Sequence, residues 1–444
     1  MQQLTQKLKL LRFGDFAVRR NPLYYAAARE KLDSLERAGL EERRAWTARR
    51  LAEALWAARH TPYGKRVRGT RELASWPLLE KTAVRAEPGA FVASRLLASR
   101  ASTGGTSGAP LPLVRSLPSV VFEQACIDRM IASMGADPAR SRVAVLRGDN
   151  VKDPSDFSPP YWKFAAGERR MILSSNHLNT ATAPRYADAL EAFQPDVLWA
   201  YPTALESLCL NLKRAHRRLA LPRVLTSSEV LHPAVWRLAT ETLRCRLVDY
   251  YGQAERVAFA WADSAGAYRF LPGYAHVELL PAGEEGLYEI VGTSLWNRSM
   301  PLVRYRTGDL LKINSKSDFE NITLGIATFP GVLGRDSDIL LSPDGVRLTG
   351  IDHFQRDVAN LVRIQVIQES AAEVRVLVLG SDAFGERDEA QLLANVRRKL
   401  PASMRVRIER VAALERTSLG KVPFVIHRPA VRELLLTRPR ASAG

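Results

Sequence analysis

The sequence STGGTSG occupies positions 102–108, and Pro110 follows it closely. Small and hydroxylated residues in a row cannot fill a hydrophobic core, but they leave backbone amides and hydroxyls free to follow an anionic group. The stretch lacks both the Gly-Lys-Ser/Thr of a Walker A loop and the GxGxxG of a dinucleotide fingerprint. It therefore predicts a phosphate-binding loop of another kind, and the alternative is an ordinary flexible loop.

Four further motifs follow this loop along the chain. Residues 250–255 read YYGQAE and come directly after a strand-like run, at the kind of strand end where open α/β sheets bind ligands. Residues 305–309 read YRTGD, residues 334–338 read GRDSD and residues 416–421 read RTSLGK. Each motif is a weak signal alone, but the occurrence of all of them in this order is difficult to obtain by chance.

In this order the motifs resemble those of the adenylate-forming superfamily of acyl-CoA synthetases, over about residues 90–430. The length and the loop are similar to phenylacetate-CoA ligases and to ligase-like proteins of capsular polysaccharide clusters. The resemblance implies that ATP activates a carboxylic acid to acyl-AMP, and that the acyl group then passes to coenzyme A. Two alternatives stay open: transfer to an amine, sugar or carrier, and a nucleotide-binding protein that has lost catalysis.

A chain of 444 residues is too long for one hydrophobic core, so we expect two domains. The expected division is a large layered α/β domain over residues 1–333, with the nucleotide and acyl sites, and a small mobile α+β lid over residues 334–444. Predicted strands lie at 143–146, 197–201, 224–226 and 247–250, alternating with helical segments such as 205–218, which favours a largely parallel sheet. Antiparallel strands are expected at 276–280 and 287–291, lid strands at 374–379 and 406–411, a lid helix at 389–400, and amphipathic helices within 1–60.

The formal net charge of +17 invites a nucleic-acid or membrane-surface interpretation. The basic residues are nevertheless mostly arginines spread among acidic residues, so we expect no nucleic-acid partner and leave peripheral contact with an anionic membrane open. No signal-peptide pattern or apolar run of membrane-spanning length is present. Three distant cysteines without a CxxC pair fit a reducing cytoplasm. Related ligases often carry a cysteine cluster where residues 310–333 have none, so no structural metal is expected there.

The resemblance gives the small-residue loop its role. It implies that the loop wraps the β and γ phosphates of ATP through Thr103, Gly104, Gly105, Thr106, Ser107 and Gly108, with Thr106 also among the catalytic residues. Relatives often carry a lysine after the last glycine, where this chain has Ala109. More of the triphosphate charge is therefore left to amides, arginines or Mg²⁺.

The YYGQAE motif implies the remaining groups around the phosphates. Glu255 matches the glutamate that binds Mg²⁺, and the alternative is a solvated surface glutamate. Tyr251 is expected near the adenine, with Gly252 allowing a close turn. Ala254 stands where relatives have Thr or Ser against the α-phosphate, so that contact is missing.

The later motifs imply the ribose, hinge and lid groups. Asp309 matches the aspartate that accepts both ribose hydroxyls, with an ordinary turn as the alternative, and Arg335 also reaches the ribose. Ser337 stands at the hinge, where relatives usually have aspartate. Lys421 is expected to act in the first half-reaction, because a lid ammonium can bridge the substrate carboxylate and the ATP.

The acyl pocket is the least defined part of the prediction. Tyr201 and Pro202, with Ser228 and Glu229, come at strand ends where relatives build their substrate wall. Tyr201 can equally be a core residue. The expected binding partner is a small-molecule carboxylate, and the resemblance implies that this substrate is an aromatic acid.

Overall fold

The computed structural model of the protein describes most of the chain, namely residues 18–102, 111–147, 149, 151–152, 156, 158–165, 169–175, 177–283, 285–314, 318–335, 340–344, 347–348, 351–355, 358–416 and 422–437. The chain forms two compact units. The first comprises Met1–Thr307 and Leu311–Val332, and the second comprises Gly308–Leu310 and Leu333–Gly444. Within the described ranges, no helix is both long and apolar enough to cross a bilayer.

The helices occur in both units. The α-helices are α1 (Pro22–Arg37), α2 (Leu40–Arg59), α3 (Pro62–Arg66), α4 (Lys81–Ala86), α5 (Leu117–Ser133), α6 (Ala183–Phe193), α7 (Pro202–Arg214), α8 (Pro233–Leu243), α9 (Phe319–Thr323), α10 (Glu386–Arg397) and α11 (Pro429–Thr437). Short 3₁₀ helices span Leu73–Ser75, Pro88–Phe91 and Ile351–Gln355.

The strands form a large sheet in the first unit and several smaller sheets. They are β1 (Ala98–Ser102), β2 (Pro112–Ser116), β3 (Val143–Arg147), β4 (Trp162–Ala165), β5 (Arg170–Ser174), β6 (Val197–Ala200), β7 (Arg223–Ser227), β8 (Arg246–Gly252), β9 (Phe259–Ala262), β10 (Arg269–Phe270), β11 (Ala275–Pro281), β12 (Leu287–Ser294), β13 (Tyr305–Lys312), β14 (Val332–Arg335), β15 (Leu340–Leu341), β16 (Arg347–Leu348), β17 (Leu361–Ser370), β18 (Glu373–Gly380), β19 (Arg405–Arg410) and β20 (Val425–His427).

The main sheet has eight strands in the order β10-β9-β8-β7-β6-β3-β5-β4. The five central strands, β5, β3, β6, β7 and β8, are parallel, and antiparallel strands close both edges. The layered α/β body expected from the sequence is therefore confirmed. From β3 the chain first adds β5 on one side and then crosses to β6 on the other. The carboxyl ends of β3 and β6 consequently form a topological switch point, where open sheets bind ligands.

The central strands are apolar on both faces because helices cover both sides of a parallel sheet. Leu146 of β3, Leu198 of β6 and Val224 of β7 are fully buried. Helix α5 adds Val121 and Ala125, one helical turn apart and also fully buried, to the same core. This packing fixes the ends of the strands and therefore also fixes the positions of the polar residues that follow them.

The smaller sheets follow the sequence prediction in part. Strands β11 and β12 pair antiparallel, as expected, with Ala275 opposite Ser294. The second unit contains a four-stranded sheet in the order β19-β18-β17-β20, packed through its own apolar core with α10. The predicted lid strands correspond to β18 and β19, and the predicted lid helix begins three residues earlier, at Glu386. Strand β17 was not predicted.

Candidate active site

The carboxyl edge of the main sheet brings together residues from several strand ends. Tyr201 directly follows β6, Ser228 directly follows β7, and Tyr251 lies near the end of β8. Arg147 is the last residue of β3. The switch point of the sheet lies at this edge, so the topology indicates a ligand site here.

Glu255 follows the end of β8 and is buried, with 6% of its surface exposed. The hydroxyl of Tyr305 donates a hydrogen bond of 2.8 Å to its Oε1, and the ammonium of Lys81 lies 3.3 Å from the same oxygen. The alternative of a solvated surface glutamate is therefore wrong. A buried carboxylate with a cation and a hydroxyl donor is a prepared anionic centre.

The partners of Glu255 are held in place by backbone hydrogen bonds between two distant segments. Leu79 donates its N–H to the carbonyl of Arg304 at 2.9 Å and accepts from the N–H of Arg306 at 3.0 Å. The side chain of Arg306 also binds Glu80 at 2.9 Å. Because these contacts tie the segment before α4 to the start of β13, Lys81 and Tyr305 reach Glu255 together.

The turn before Glu255 differs from the one expected. Gly252 ends β8 with no left-handed backbone, and an added Cβ would meet the Phe259 ring at an ordinary 3.5 Å. The left-handed residue is Arg256, with φ of 60°. Its guanidinium pairs with Glu123 at 3.0 Å, which fixes the side chain of this left-handed residue.

Ala254 contributes only backbone to the site. Its carbonyl accepts a hydrogen bond of 2.6 Å from Arg115, and its methyl group packs beside a buried cluster that contains Met300 and Tyr305. The side-chain contact that Thr or Ser makes in relatives has no counterpart at this position. The neighbouring Tyr251 accepts a 2.5 Å hydrogen bond from Gln253, which orients its phenol.

The residues expected to line the acyl pocket make different contacts. Pro202 opens α7, and Glu229 caps that helix by accepting from the N–H of Thr203 at 3.0 Å. Ser228 has φ of 73°, a left-handed conformation that is costly for a serine. Tyr201 is half-buried against the main core. Glu229 thus contacts the start of α7, while Tyr201 and Ser228 lie beside Arg147 at the end of β3.

Arg147 was not singled out from the sequence. Its guanidinium carbon lies 4.8 Å from the ring centre of Tyr201 and 5.1 Å from that of Trp199. Its Nη2 donates a long hydrogen bond of 3.4 Å to the Ser228 hydroxyl. The arrangement places a cation over two aromatic rings at the switch point of the sheet.

Asp309 lies on β13 in the stretch 308–310 that groups with the second unit. It is buried, with 6% of its surface exposed, and Gly308 before it has φ of 71°. Asp309 therefore belongs to a strand, and the alternative of an ordinary turn is wrong. Arg335 ends β14, and its side chain lies outside the described residues.

Several predicted site residues lie outside the described residues: Thr103, Gly104, Gly105, Thr106, Ser107, Gly108, Ala109, Ser337 and Lys421. The described residues that flank two of these segments are well anchored. Ser102 pairs with Pro112 across the β1–β2 hairpin. Gln365 donates to the carbonyls of Glu415 and Pro423, both at 2.9 Å, on either side of the segment that ends at Lys421.

Both parts of the chain are similar to known proteins. Residues 340–428 match the family described as CapK C-terminal domain. The Protein CapK of Staphylococcus aureus is 20% identical over 338 residues, which cover 73% of each chain. Crystal structures of 2-hydroxyisobutyryl-CoA ligase in the postadenylation state, in complex with R3-HIB-AMP and with 2-HIB-AMP, are similar with TM-scores of 0.60 and 0.59. Both are 16% identical and cover 88% of this chain and 92% of the ligase chain.

The likeness to the ligase extends over both units, and the match to the CapK domain lies within the second. These findings agree with the superfamily resemblance drawn from the five motifs. The protein has the fold of the adenylate-forming ligases, with a CapK-like C-terminal domain.

Proposed function

We propose that the protein is an ATP-dependent adenylate-forming ligase that activates a carboxylic acid to acyl-AMP. The observation that carries this proposal is the Glu255 site: a buried carboxylate at the carboxyl edge of the sheet, held by Tyr305 and Lys81 from two other elements. The ligase fold supports the same conclusion.

The proposed reaction joins two anions. A carboxylate oxygen of the acid attacks the α-phosphorus of ATP, the bond from that phosphorus to the bridging oxygen breaks, and pyrophosphate leaves. Because the carboxylate and the triphosphate repel each other, the site must supply positive charge and fixed donors. Lys81 supplies a cation beside Glu255 from outside the phosphate loop, which has Ala109 where relatives often have a lysine.

The Glu255 carboxylate fits a Mg²⁺ ion. Tyr305 and Lys81 both contact its Oε1, and within the described part of the chain no hydrogen bond to Oε2 is seen. Mg²⁺ is commonly held by one or two carboxylates together with substrate phosphates and water. When bound, the ion would neutralise triphosphate charge, while Tyr305 and Lys81 keep the carboxylate oriented.

The other expected roles complete the proposal. The loop at 103–108 wraps the β and γ phosphates, Tyr251 lies near the adenine, and Asp309 and Arg335 bind the ribose. Ser337 acts as the hinge, and Lys421 bridges the acid and the ATP during the first half-reaction. These assignments rest on the resemblance of the motifs.

We propose coenzyme A as the acceptor of the acyl group. The support is the 2-hydroxyisobutyryl-CoA ligase, which shares the fold. The second candidate is transfer to an amine, a sugar or a carrier in capsular polysaccharide biosynthesis, and the matches to CapK favour it. Either reaction would take place in the cytoplasm, where ATP is available.

Pyrophosphate release with MgATP tests the proposal. The wild type, Lys421→Ala and Glu255→Gln are compared across aryl, fatty, dicarboxylic and amino acids, with and without coenzyme A, and Lys399→Ala is the matched lysine control. We expect acid-dependent release that both site variants lose and the control keeps. Faster turnover with coenzyme A identifies the acceptor. ATP binding without release for any acid would contradict the proposal and favour a nucleotide-binding protein without catalysis.

A further inference from the structure

Arg147 has more hydrogen-bonding capacity than its surroundings use. A guanidinium carries five N–H donors, and Arg147 makes one long bond of 3.4 Å, to Ser228. Within the described residues, no carboxylate lies within ion-pair distance of it. Other arginines of this unit form ion pairs with carboxylates: Arg304 lies 3.0 Å from Glu278, and Arg306 lies 2.9 Å from Glu80.

The position of Arg147 is defined by aromatic contacts instead of an acidic partner. The rings of Trp199 and Tyr201 lie near its guanidinium, and the Trp199 indole is itself fixed by a 3.2 Å bond to Ser227. Aromatic faces orient a guanidinium and leave its N–H edges available. Those edges suit a planar, bidentate anion such as a carboxylate.

The anion that suits Arg147 is distinct from the reacting carboxylate. On adenylation the reacting group loses its negative charge, because its oxygen becomes part of a mixed anhydride. An arginine that contacts that group alone, without also reaching the phosphates as Lys421 is proposed to do, would stabilise the free acid more than the transition state and would slow the step. A second carboxylate, remote from the reaction, keeps its charge throughout and can bind Arg147 without this penalty.

We propose that Arg147, positioned by Trp199 and Tyr201, binds a second carboxylate of the acid substrate, so that the protein selects dicarboxylic acids. This inference rests on the proposed adenylation. An uncharged acyl chain in the same place would remove water from an arginine without replacing its hydrogen bonds, which disfavours simple fatty and aryl acids. The strained Ser228 adds the contact that aims the guanidinium.

Calorimetric titration of the full chain tests the binding without requiring catalysis. Succinate, glutarate, adipate and suberate are compared with butanoate, pentanoate, hexanoate and octanoate, and terephthalate with benzoate. We expect at least one diacid to bind about tenfold more tightly than its matched monoacid, as one good charge-assisted contact would give. Arg147→Met should abolish this preference and leave the affinity for MgATP within about twofold, since its phosphates bind elsewhere.

Arg142→Met is the matched control. Arg142 also lies over an aromatic ring, that of Phe193 at 4.6 Å, but it precedes β3 at the opposite end of the strand. The control should keep the diacid preference. No preference in any matched pair, or a preference that survives in Arg147→Met, would overturn the proposal.

Pyrophosphate release with the same acids separates this proposal from the proposed function. Diacid selectivity in binding, without release of pyrophosphate, would leave the Arg147 site standing and remove adenylation. Release from monoacids that is unchanged in Arg147→Met would leave adenylation standing and remove the role of Arg147. Release from a diacid that falls at least about tenfold in Arg147→Met, but not in Arg142→Met, supports both.

Discussion

Asp249 and Glu255 are two buried carboxylates on either side of the end of β8, and their surroundings differ. Asp249 accepts hydrogen bonds from the hydroxyls of Thr226 and Tyr268, and no cation in the described residues pairs with it. Glu255 has the ammonium of Lys81 at 3.3 Å. Burial raises the pKa of Asp249 to about 6, although both hydroxyls oppose the shift. Asp249 is thus enclosed by neutral hydroxyl donors, whereas Glu255 lies beside a cation.

The largest expected effect is the loss of adenylation in Glu255→Gln. The substitution keeps the size of the side chain and removes the charge that would hold Mg²⁺ beside the phosphates. We expect the rate of acyl-AMP formation to fall by about 10²–10³, which is typical of losing one electrostatic group at a reaction centre. Single-turnover assays measure the rate. Asp249→Asn is the control, and its rate of acyl-AMP formation should stay within a few-fold of wild type. Equal losses in the two variants would contradict the distinction between Asp249 and Glu255.

The next effect concerns pH and the stability of the fold. Asp249 holds its proton more tightly in the folded chain, with a pKa of about 6, than in the unfolded chain, with its ordinary value of 3.8. The folded state binds more protons between these values, so the contribution of Asp249 to stability is fully present below about pH 4 and is lost as the pH rises through about 6. The loss from this group is about 3 kcal/mol.

Urea unfolding at several pH values between 4 and 7 measures this effect. Asp249→Asn cannot titrate, so the difference in unfolding free energy between wild type and variant should change across that window and level off above it. Glu255→Gln should leave this pH dependence unchanged. A difference between wild type and Asp249→Asn that does not vary with pH would show that Asp249 is not the titrating group.

A smaller effect is expected from Tyr305→Phe. The variant keeps the buried ring and removes the 2.8 Å hydrogen bond to Glu255. We expect about a tenfold fall in kcat, because one hydrogen bond to a charged group contributes about 1.5–3 kcal/mol and Lys81 still holds the carboxylate. A double-mutant cycle with Lys81→Met should show non-additive losses, since both residues act on one oxygen. Strictly additive losses would mean that they act separately.

The smallest effect is expected from Ala254→Ser. The added hydroxyl stands where relatives place a Thr or Ser against the α-phosphate. We expect kcat to rise about threefold, with the KM for ATP changed less, because one partly aligned hydrogen bond contributes about 0.5–1.5 kcal/mol. Ala254→Val is the control for added bulk without a hydroxyl. A gain in the valine variant as well would mean that packing, and not the hydroxyl, limits the rate.

The apolar strands could be predicted because their signal is local. Runs such as 143–146 and 197–201 contain enough Val, Leu and Ala to indicate buried strands without any knowledge of their neighbours. Strand β17 was missed for a related reason. Gln365 and Gln368 interrupt its apolar pattern, yet both are fully buried. Their amides bind backbone groups of distant segments, which no local pattern reveals.

The candidate site could be predicted only where a motif carries it. Glu255 and Asp309 lie in recognisable motifs, whereas Lys81 reaches Glu255 through a backbone contact between distant segments. Arg147 shows a detectable signal, a polar residue that ends a buried strand at the switch point, but only once the strand order is known. The left-handed conformation of Arg256 could not be predicted, because its ion pair with Glu123 joins it to a distant helix and is not visible in the sequence.

Mass-spectrometric detection of acyl-AMP is the most direct test of adenylation at the Glu255 site. The wild type, Glu255→Gln and Asp249→Asn are each mixed with MgATP and the acid panel and quenched after one turnover. We expect an acyl-AMP of defined acid mass in the wild type and in Asp249→Asn, and about 10²–10³-fold less of it in Glu255→Gln. Acyl-AMP formed equally well by Glu255→Gln would contradict the assignment of Glu255 as the anionic centre of the reaction.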